Sequence, residues 1–201
     1  MPLVCFDLEA TGVDVSSCEI VSITAEFHGE YFDSLVKPRT PIPPESTEVH
    51  GITDEMVACA PRWRVVGPAF LDWVFRHAGP VVTLCAYNGA GFDMPLLMMQ
   101  NATLHPKSFP AFTRVYLCDP FLIAKRVMKK SELREGRNRQ AHVYEALFGR
   151  QPDGQHTSLG DVEALKRIVE HKRFRGRLSR TRDACRRWTG RSSDGRKLRL
   201  S

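Results

Sequence analysis

No run in this 201-residue sequence approaches the ~20 consecutive apolar residues needed to cross a bilayer, so no membrane association is expected. The amino-terminal Met-Pro-Leu-Val-Cys lacks the basic and apolar regions of a secretory signal and runs directly into a strand-like segment. The six cysteines (Cys5, Cys18, Cys59, Cys85, Cys118 and Cys185) include no C-x-x-C pair, which argues against a zinc site. Cys5, Cys85 and Cys118 lie inside apolar runs, where a free thiol behaves as a small hydrophobe. A reduced, intracellular protein, cytoplasmic or nuclear, is expected. Repeats and long low-complexity segments are absent before the carboxyl-terminal stretch.

One scarcity is local. From residue 172 onward there are only two acids, Asp183 and Asp194, against 12 of the 29 Lys and Arg residues. The remainder keeps 17 basic and 21 acidic residues, so a mildly acidic body carries a strongly basic end. One domain over residues 1–172 and a basic tail over 173–201 are expected. Such a tail suits a polyanion, meaning nucleic acid or an anionic surface; a solvated terminus or a nuclear address are the alternatives.

Residues 3–8, 19–27 and 31–37 read as strands, with His28-Gly29-Glu30 as the tight link between the second and third. The proline-rich residues 37–47 read as a loop, and residues 49–57 as a turn into a short helix. Val65, Val66, Ala69, Phe70, Trp73 and Val74 recur at helical spacing over 62–78. The continuous apolar run over 79–87 suits a central parallel strand. A helix over 92–102, a strand over 113–118 and helices over 120–130, 140–148 and 158–172 complete the body. The order is an antiparallel meander followed by β-α-β-α, a mixed α/β fold.

Against this pattern, "FDLEATG" is an anomaly. Asp7 and Glu9 are two residues apart and so share a strand face. They stand where a strand ends, which is where open α/β sheets bind ligands. Paired acids are costly unless a cation lies between them, and the simplest candidate is a divalent metal. Asp93, in "NGAGFDMPLL", shares a helical stripe with Leu96 and Leu97, although aspartate is also favoured as a helix cap. Asp161, in "HTSLGDVEAL", shares a stripe with Leu165 and Ile168, although Ser158 and Asp161 also fit a capping box. His156 and Asp161 are ~140° apart on a helix, so both reach one site only if His156 lies on the preceding loop. Carboxylate oxygens suit Mg²⁺ or Mn²⁺, and a histidine near pKa ~6.5 can take a proton at neutral pH.

"FDLEATG", "NGAGFD" and "HTSLGD" resemble, in order, the three motifs of the DEDDh (DnaQ-like) 3′–5′ exonuclease superfamily over roughly residues 3–170. The resemblance implies an RNase H-like fold with a five-stranded mixed sheet. It implies that Asp7, Glu9, Asp93 and Asp161 hold two Mg²⁺ (or Mn²⁺) ions and that His156 is the general base. It further implies that Asp7 bridges the ions, Glu9 and Asp161 hold the one that activates water, and Asp93 supports the other. Within the superfamily the sequence looks most like the three-prime repair (TREX-type) exonucleases, which degrade DNA from the 3′ end and are dimeric. By position, Ala10, Thr11, Val13, Val49, His50 and Phe92 would line the pocket for the terminal nucleotide. The basic stretch with Lys129, Lys130 and Arg137 is a candidate phosphate contact. DNA is the expected substrate. An RNA-trimming activity and an inactive nucleic-acid-binding module are the alternatives.

Overall fold

The computed structural model describes residues 1–102, 114–134, 137–154 and 157–178, and the backbone of 185–188. Eight residues from Leu3 to Ala10 form β1. Strands β2 (Ile20–Phe27) and β3 (Glu30–Leu35) follow it in an antiparallel meander. His28 and Gly29 join them, both at positive φ (53° and 89°), which suits the twist of a two-residue hairpin. Next come the helices α1 (Pro44–His50), α2 (Asp54–Val57) and α3 (Trp63–Ala78). Strand β4 (Val81–Cys85), helix α4 (Asp93–Ala102) and strand β5 (Arg114–Cys118) supply the parallel part. Helices α5 (Pro120–Val127), α6 (Gln140–Phe148), α7 (Ser158–Glu170) and α8 (Lys172–Leu178) lead to β6 (Cys185–Trp188).

The sheet order is β3-β2-β1-β4-β5-β6. Five of these strands are the mixed sheet expected; β6 adds a sixth, antiparallel to β5. Alternation along β1 divides its side chains between two layers. Val4, Phe6, Leu8 and Ala10 face the core built with Val66, Phe70 and Val74 of α3 and Leu96 and Leu97 of α4. Cys5 faces the other side, where Cys85, Cys118, Val162, Leu165 and Val169 cover it with α7. Asp7 and Glu9 continue that second face to the carboxyl end of the strand.

Three local expectations shift. The proline-rich segment is not loop throughout: α1 begins at Pro44, because proline needs no hydrogen-bond partner for its missing N–H in a first turn. The buried stripe of α3 is Trp63, Val66, Phe70, Leu71, Val74 and Ala78, while Val65 is 56% exposed. Beyond residue 172 the chain is not simply appended to the body: α8 packs on α5 and α7, and Phe174 is fully buried among Ile123, Met128, Tyr144 and Ile168. No helix among the described residues is long and apolar enough to cross a membrane.

Candidate active site

Three elements converge at the carboxyl end of β1. Carboxylate oxygens of Asp7, Glu9 and Asp161 all lie within 4.8 Å of one another. Asp161 arrives on the first turn of α7. The capping role open to Ser158 falls instead to Thr157, whose hydroxyl accepts from the Gly160 amide at 3.1 Å. Ser158 is therefore the first helical residue and meets Ser22 of β2 at 3.1 Å. The side chain of Gln140 donates to the Asp161 carbonyl at 2.6 Å, tying α6 to the same turn.

Asp93 is the first residue of α4, not its cap, and is 5% exposed. The backbone of Leu8, between the two acids of β1, lowers the proton affinity of Asp93. Its charge is felt by Asp7 more strongly than that of Glu9 or Asp161, although it stands outside the three-carboxylate cluster.

Electrostatics mark the pocket as a place that wants a cation. Burial, then Asp93, Glu9 and Asp161, push Asp7 well above the usual aspartate range. Glu9 rises to about 8, through burial first and then Asp161 and Asp93. Asp93 rises to about 7 through burial, with its own backbone amide and that of Leu8 opposing and Asp119 adding to the rise. For Glu9 this is a penalty on the order of 5 kcal/mol against the ionised form. Three oxygen donors at this spacing, crowded and partly desolvated, fit a hard divalent ion such as Mg²⁺ or Mn²⁺.

Beside the acids lies a cleft of about 560 Å³ whose wall includes Glu9, Ala10, Thr11, Val13, Val49, His50 and Phe92. Thr11 is fixed twice to Glu19: its amide donates to the Glu19 carbonyl at 2.9 Å, and its hydroxyl accepts from the Glu19 amide at 2.9 Å. Val13 and Val49 are exposed apolar groups on the rim. His50 is 8% exposed; its Nδ1 accepts from the Ile52 amide at 3.0 Å, so the neutral ring carries its proton on Nε2. Burial lowers its pKa, while the nearby Ala10 backbone draws it back up without a hydrogen bond of ordinary geometry.

The structure thus brings together Asp7, Glu9, Asp93 and Asp161, and the six predicted pocket residues all line the cleft beside them. His156 lies outside the described residues, between Gly154 and Thr157, which do carry the turn into α7. Lys129, Lys130 and Arg137 are exposed and do not line the cleft. That segment contains a 3₁₀ turn over Lys130–Glu132, and Glu132 pairs with Arg173 of α8 at 3.1 Å.

Sequence reasoning passed over Asp119. It is 3% exposed and accepts backbone N–H groups of Asn88 at 2.9 Å, Ala90 at 3.1 Å and Phe121 at 3.0 Å. In sequence it shows only as a single acid directly after the strand Arg114–Cys118.

The family model RNase_T, an exonuclease family, matches residues 4–169. A DNA polymerase III subunit epsilon-like protein of Rhodobacter capsulatus is 34% identical over 188 residues, which are 88% of this chain and 25% of that protein. An uncharacterized exonuclease, CP81 of Escherichia phage 186, is 40% identical over 101 residues, covering 49% of this chain and 48% of that one. The chain therefore spans a quarter to about half of the length of these relatives. Among solved structures, E. coli Exonuclease I in complex with a dT13 oligonucleotide has a similar fold, with TM-score 0.67 and 15% identity over 85% of this chain and 41% of that chain. A second Exonuclease I structure gives 0.70 at 15% identity over 88% of this chain and 43% of that one. These likenesses are to epsilon-type and Exonuclease I proteins, and the narrower three-prime repair likeness finds no support among them.

Proposed function

This chain belongs to the RNase_T exonuclease family, and on that premise we propose that it is a metal-dependent 3′–5′ exonuclease acting on single-stranded or frayed DNA ends and releasing nucleoside 5′-monophosphates. One observation carries the reading: the carboxylates of Asp7, Glu9 and Asp161 meet within 4.8 Å beside a cleft large enough for a nucleotide. DNA is favoured over RNA because the epsilon-like relative is named for a DNA polymerase and Exonuclease I is described with a dT oligonucleotide.

Asp7, Glu9, Asp161 and Asp93 would hold two Mg²⁺ or Mn²⁺ ions. Such ions, when bound, lower the pKa of water and neutralise charge building on a phosphodiester. The protein's own groups do the rest. Apolar Val13, Val49 and Phe92 pack against a base face without reading its identity. The Thr11 hydroxyl accepts from Glu19, so its hydrogen remains to be donated to a 3′-hydroxyl. His156 takes a proton from the attacking water, whose oxygen bonds to phosphorus as the bond to the 3′-oxygen of the preceding nucleotide breaks. That 3′-oxygen leaves as the new chain end and takes up a proton from solvent water. Lys129, Lys130 and Arg137 contact backbone phosphates of the trailing strand.

The test is a time course with 5′-labelled single-stranded DNA and RNA of one sequence, in Mg²⁺, in Mn²⁺ and in EDTA. A ladder shortening from the 3′ end, metal-dependent and faster on DNA, is expected. Immediate release of the labelled terminal nucleotide would overturn the polarity. No degradation with either metal would overturn the enzymatic reading and favour a binding module, while faster loss of RNA would make it an exoribonuclease.

A further inference from the structure

Asp119 is a buried acid near the centre that the proposed chemistry leaves unused. Its carboxylate spans two structures. Oδ1 accepts from the Phe121 amide, capping α5, and from the Asn88 amide; Oδ2 accepts from the Ala90 amide. Residues 88–91 form the turn between β4 and α4, and this turn delivers Asp93. The turn has little freedom of its own. Asn88 sits at φ 59°, and a Cβ on Gly89 would lie 2.6 Å from that of Ala86. Backbone bonds from Gly91 to Asn88 at 2.9 Å and from Met94 to Gly89 at 2.9 Å then lead into the helix.

A buried carboxylate is an expensive way to make a turn, since burial disfavours its charge unless hydrogen bonds offset it. Three amide donors do so only in part: burial still leaves Asp119 above the usual aspartate range. An asparagine would satisfy Asn88 and Phe121 through one oxygen, but its NH₂ would confront the Ala90 amide. The site therefore calls for two acceptor oxygens on one side chain.

We propose that Asp119 is the positioning residue of this centre: by clasping the Asn88–Gly91 turn it sets where Asp93 stands relative to Asp7, and so tunes cation affinity and turnover without touching substrate. The inference rests on the exonuclease reading, but its first measurement does not. Mn²⁺ binding to the full chain without DNA is measured by titration calorimetry for wild type, D119N, D93N and D93N/D119N. Thermal unfolding of each variant is followed in parallel, and then kcat and KM on a single-stranded oligonucleotide.

D119N should remain folded, lose about 10- to 100-fold in Mn²⁺ affinity and in kcat, and keep its KM within about twofold. D93N/D119N should be no worse than D93N alone, because both changes act through one carboxylate. Wild-type Mn²⁺ affinity and kcat in D119N, or losses that add in the double variant, would overturn the inference. If D119N does not fold, Asp119→Ser, which can still cap Phe121 but cannot span to Ala90, is measured in its place. Unfolding of both would make Asp119 a stability residue and overturn its positioning role. A wild-type protein that binds Mn²⁺ but degrades no DNA rejects the exonuclease reading and leaves the affinity comparison intact.

Discussion

The hydroxyls of Ser22 and Ser158 lie 3.1 Å apart, both buried, where β2 passes beneath the first turn of α7. Ser22 is the register partner of Glu9 across the β1–β2 ladder, and Ser158 precedes Asp161 by one helical turn. One contact therefore fixes the strand position of one acid relative to the helix that brings another. Replacing either serine by alanine leaves the other hydroxyl buried without this partner and should cost about 1–3 kcal/mol. Replacing both should cost less than the two single losses together. Denaturant unfolding of the three variants measures this; strictly additive losses would show that strand and helix are not coupled there.

Removing one charge from the acidic cluster should stabilise the metal-free protein while ending its function. Asp7 is raised by burial and by all three neighbouring acids, so Asp7→Asn relieves the most crowded member. We expect a higher melting temperature in EDTA, since burial and the neighbouring acids disfavour the charged form of Asp7. Mg²⁺ should no longer raise the melting temperature, and nuclease activity should fall by well over the ~100-fold typical of a lost supporting residue. A variant less stable than wild type in EDTA would mean that the cluster is held by something other than cation demand.

The acids on β1 were legible because period-two alternation and a strand end are sequence properties: Asp7 and Glu9 had to share a face. The fold class followed from a meander succeeded by alternating strands and helices. Other features depend on contacts that sequence does not carry. Ser158 and Thr157 are both good caps, and only the approach of Ser22 decides that Ser158 enters the helix while Thr157 caps it. The basic composition beyond residue 172 hid Phe174, a single aromatic that finds a closed pocket between α5, α6 and α7. Asp119 was missed because one acid after a strand is uninformative until the turn it grips is seen.

Acidity should stabilise the metal-free protein. The folded values of Glu9, about 8, and Asp93, about 7, lie above their ordinary values. Between the unfolded and folded pKa the native state holds more protons than the unfolded chain, so rising pH favours unfolding. The contribution is complete below about pH 4 and is lost as pH passes through 7 to 8. Divalent cations bind the ionised form and reverse this. The melting temperature in EDTA should therefore fall from about pH 5.5 to about pH 8.5, while the Mg²⁺-induced increase grows. A cation effect larger at acid pH would contradict the assignment.

Lys129 and Lys130 stand where α5 gives way to a 3₁₀ turn, and Arg137 lies shortly before α6, all exposed and apart from the cleft. As phosphate contacts they should act on affinity and leave bond cleavage alone. Neutralising all three should flatten the slope of log affinity against log salt by about 2, at ~0.7 per contact for a single strand. The turnover number at saturating DNA should not change. An unaltered slope would make these residues a solvated face.

Gly160 offers a way to disturb the turn before α7 while leaving the carboxylates in place. A Cβ there would lie 2.1 Å from the carbonyl oxygen of Gly154 and 2.8 Å from that of Asp153, so backbone would have to move. Gly154, at φ 65°, is held by the Thr157 amide at 3.1 Å and the Thr157 hydroxyl at 2.7 Å. His156 is between these residues in sequence. Gly160→Ala should therefore strain the Gly154–Thr157 connection, within which the proposed base falls in sequence, with helix propensity itself improved by about 1 kcal/mol. The signature is a kcat reduced at least about tenfold, with Mn²⁺ affinity near wild type, because Asp161 remains on the same helical turn. Rescue of the rate by added imidazole would fit a misplaced base. If instead Mn²⁺ affinity and kcat fall together, the turn supports the acids and not the histidine, and the role given to His156 loses its structural basis.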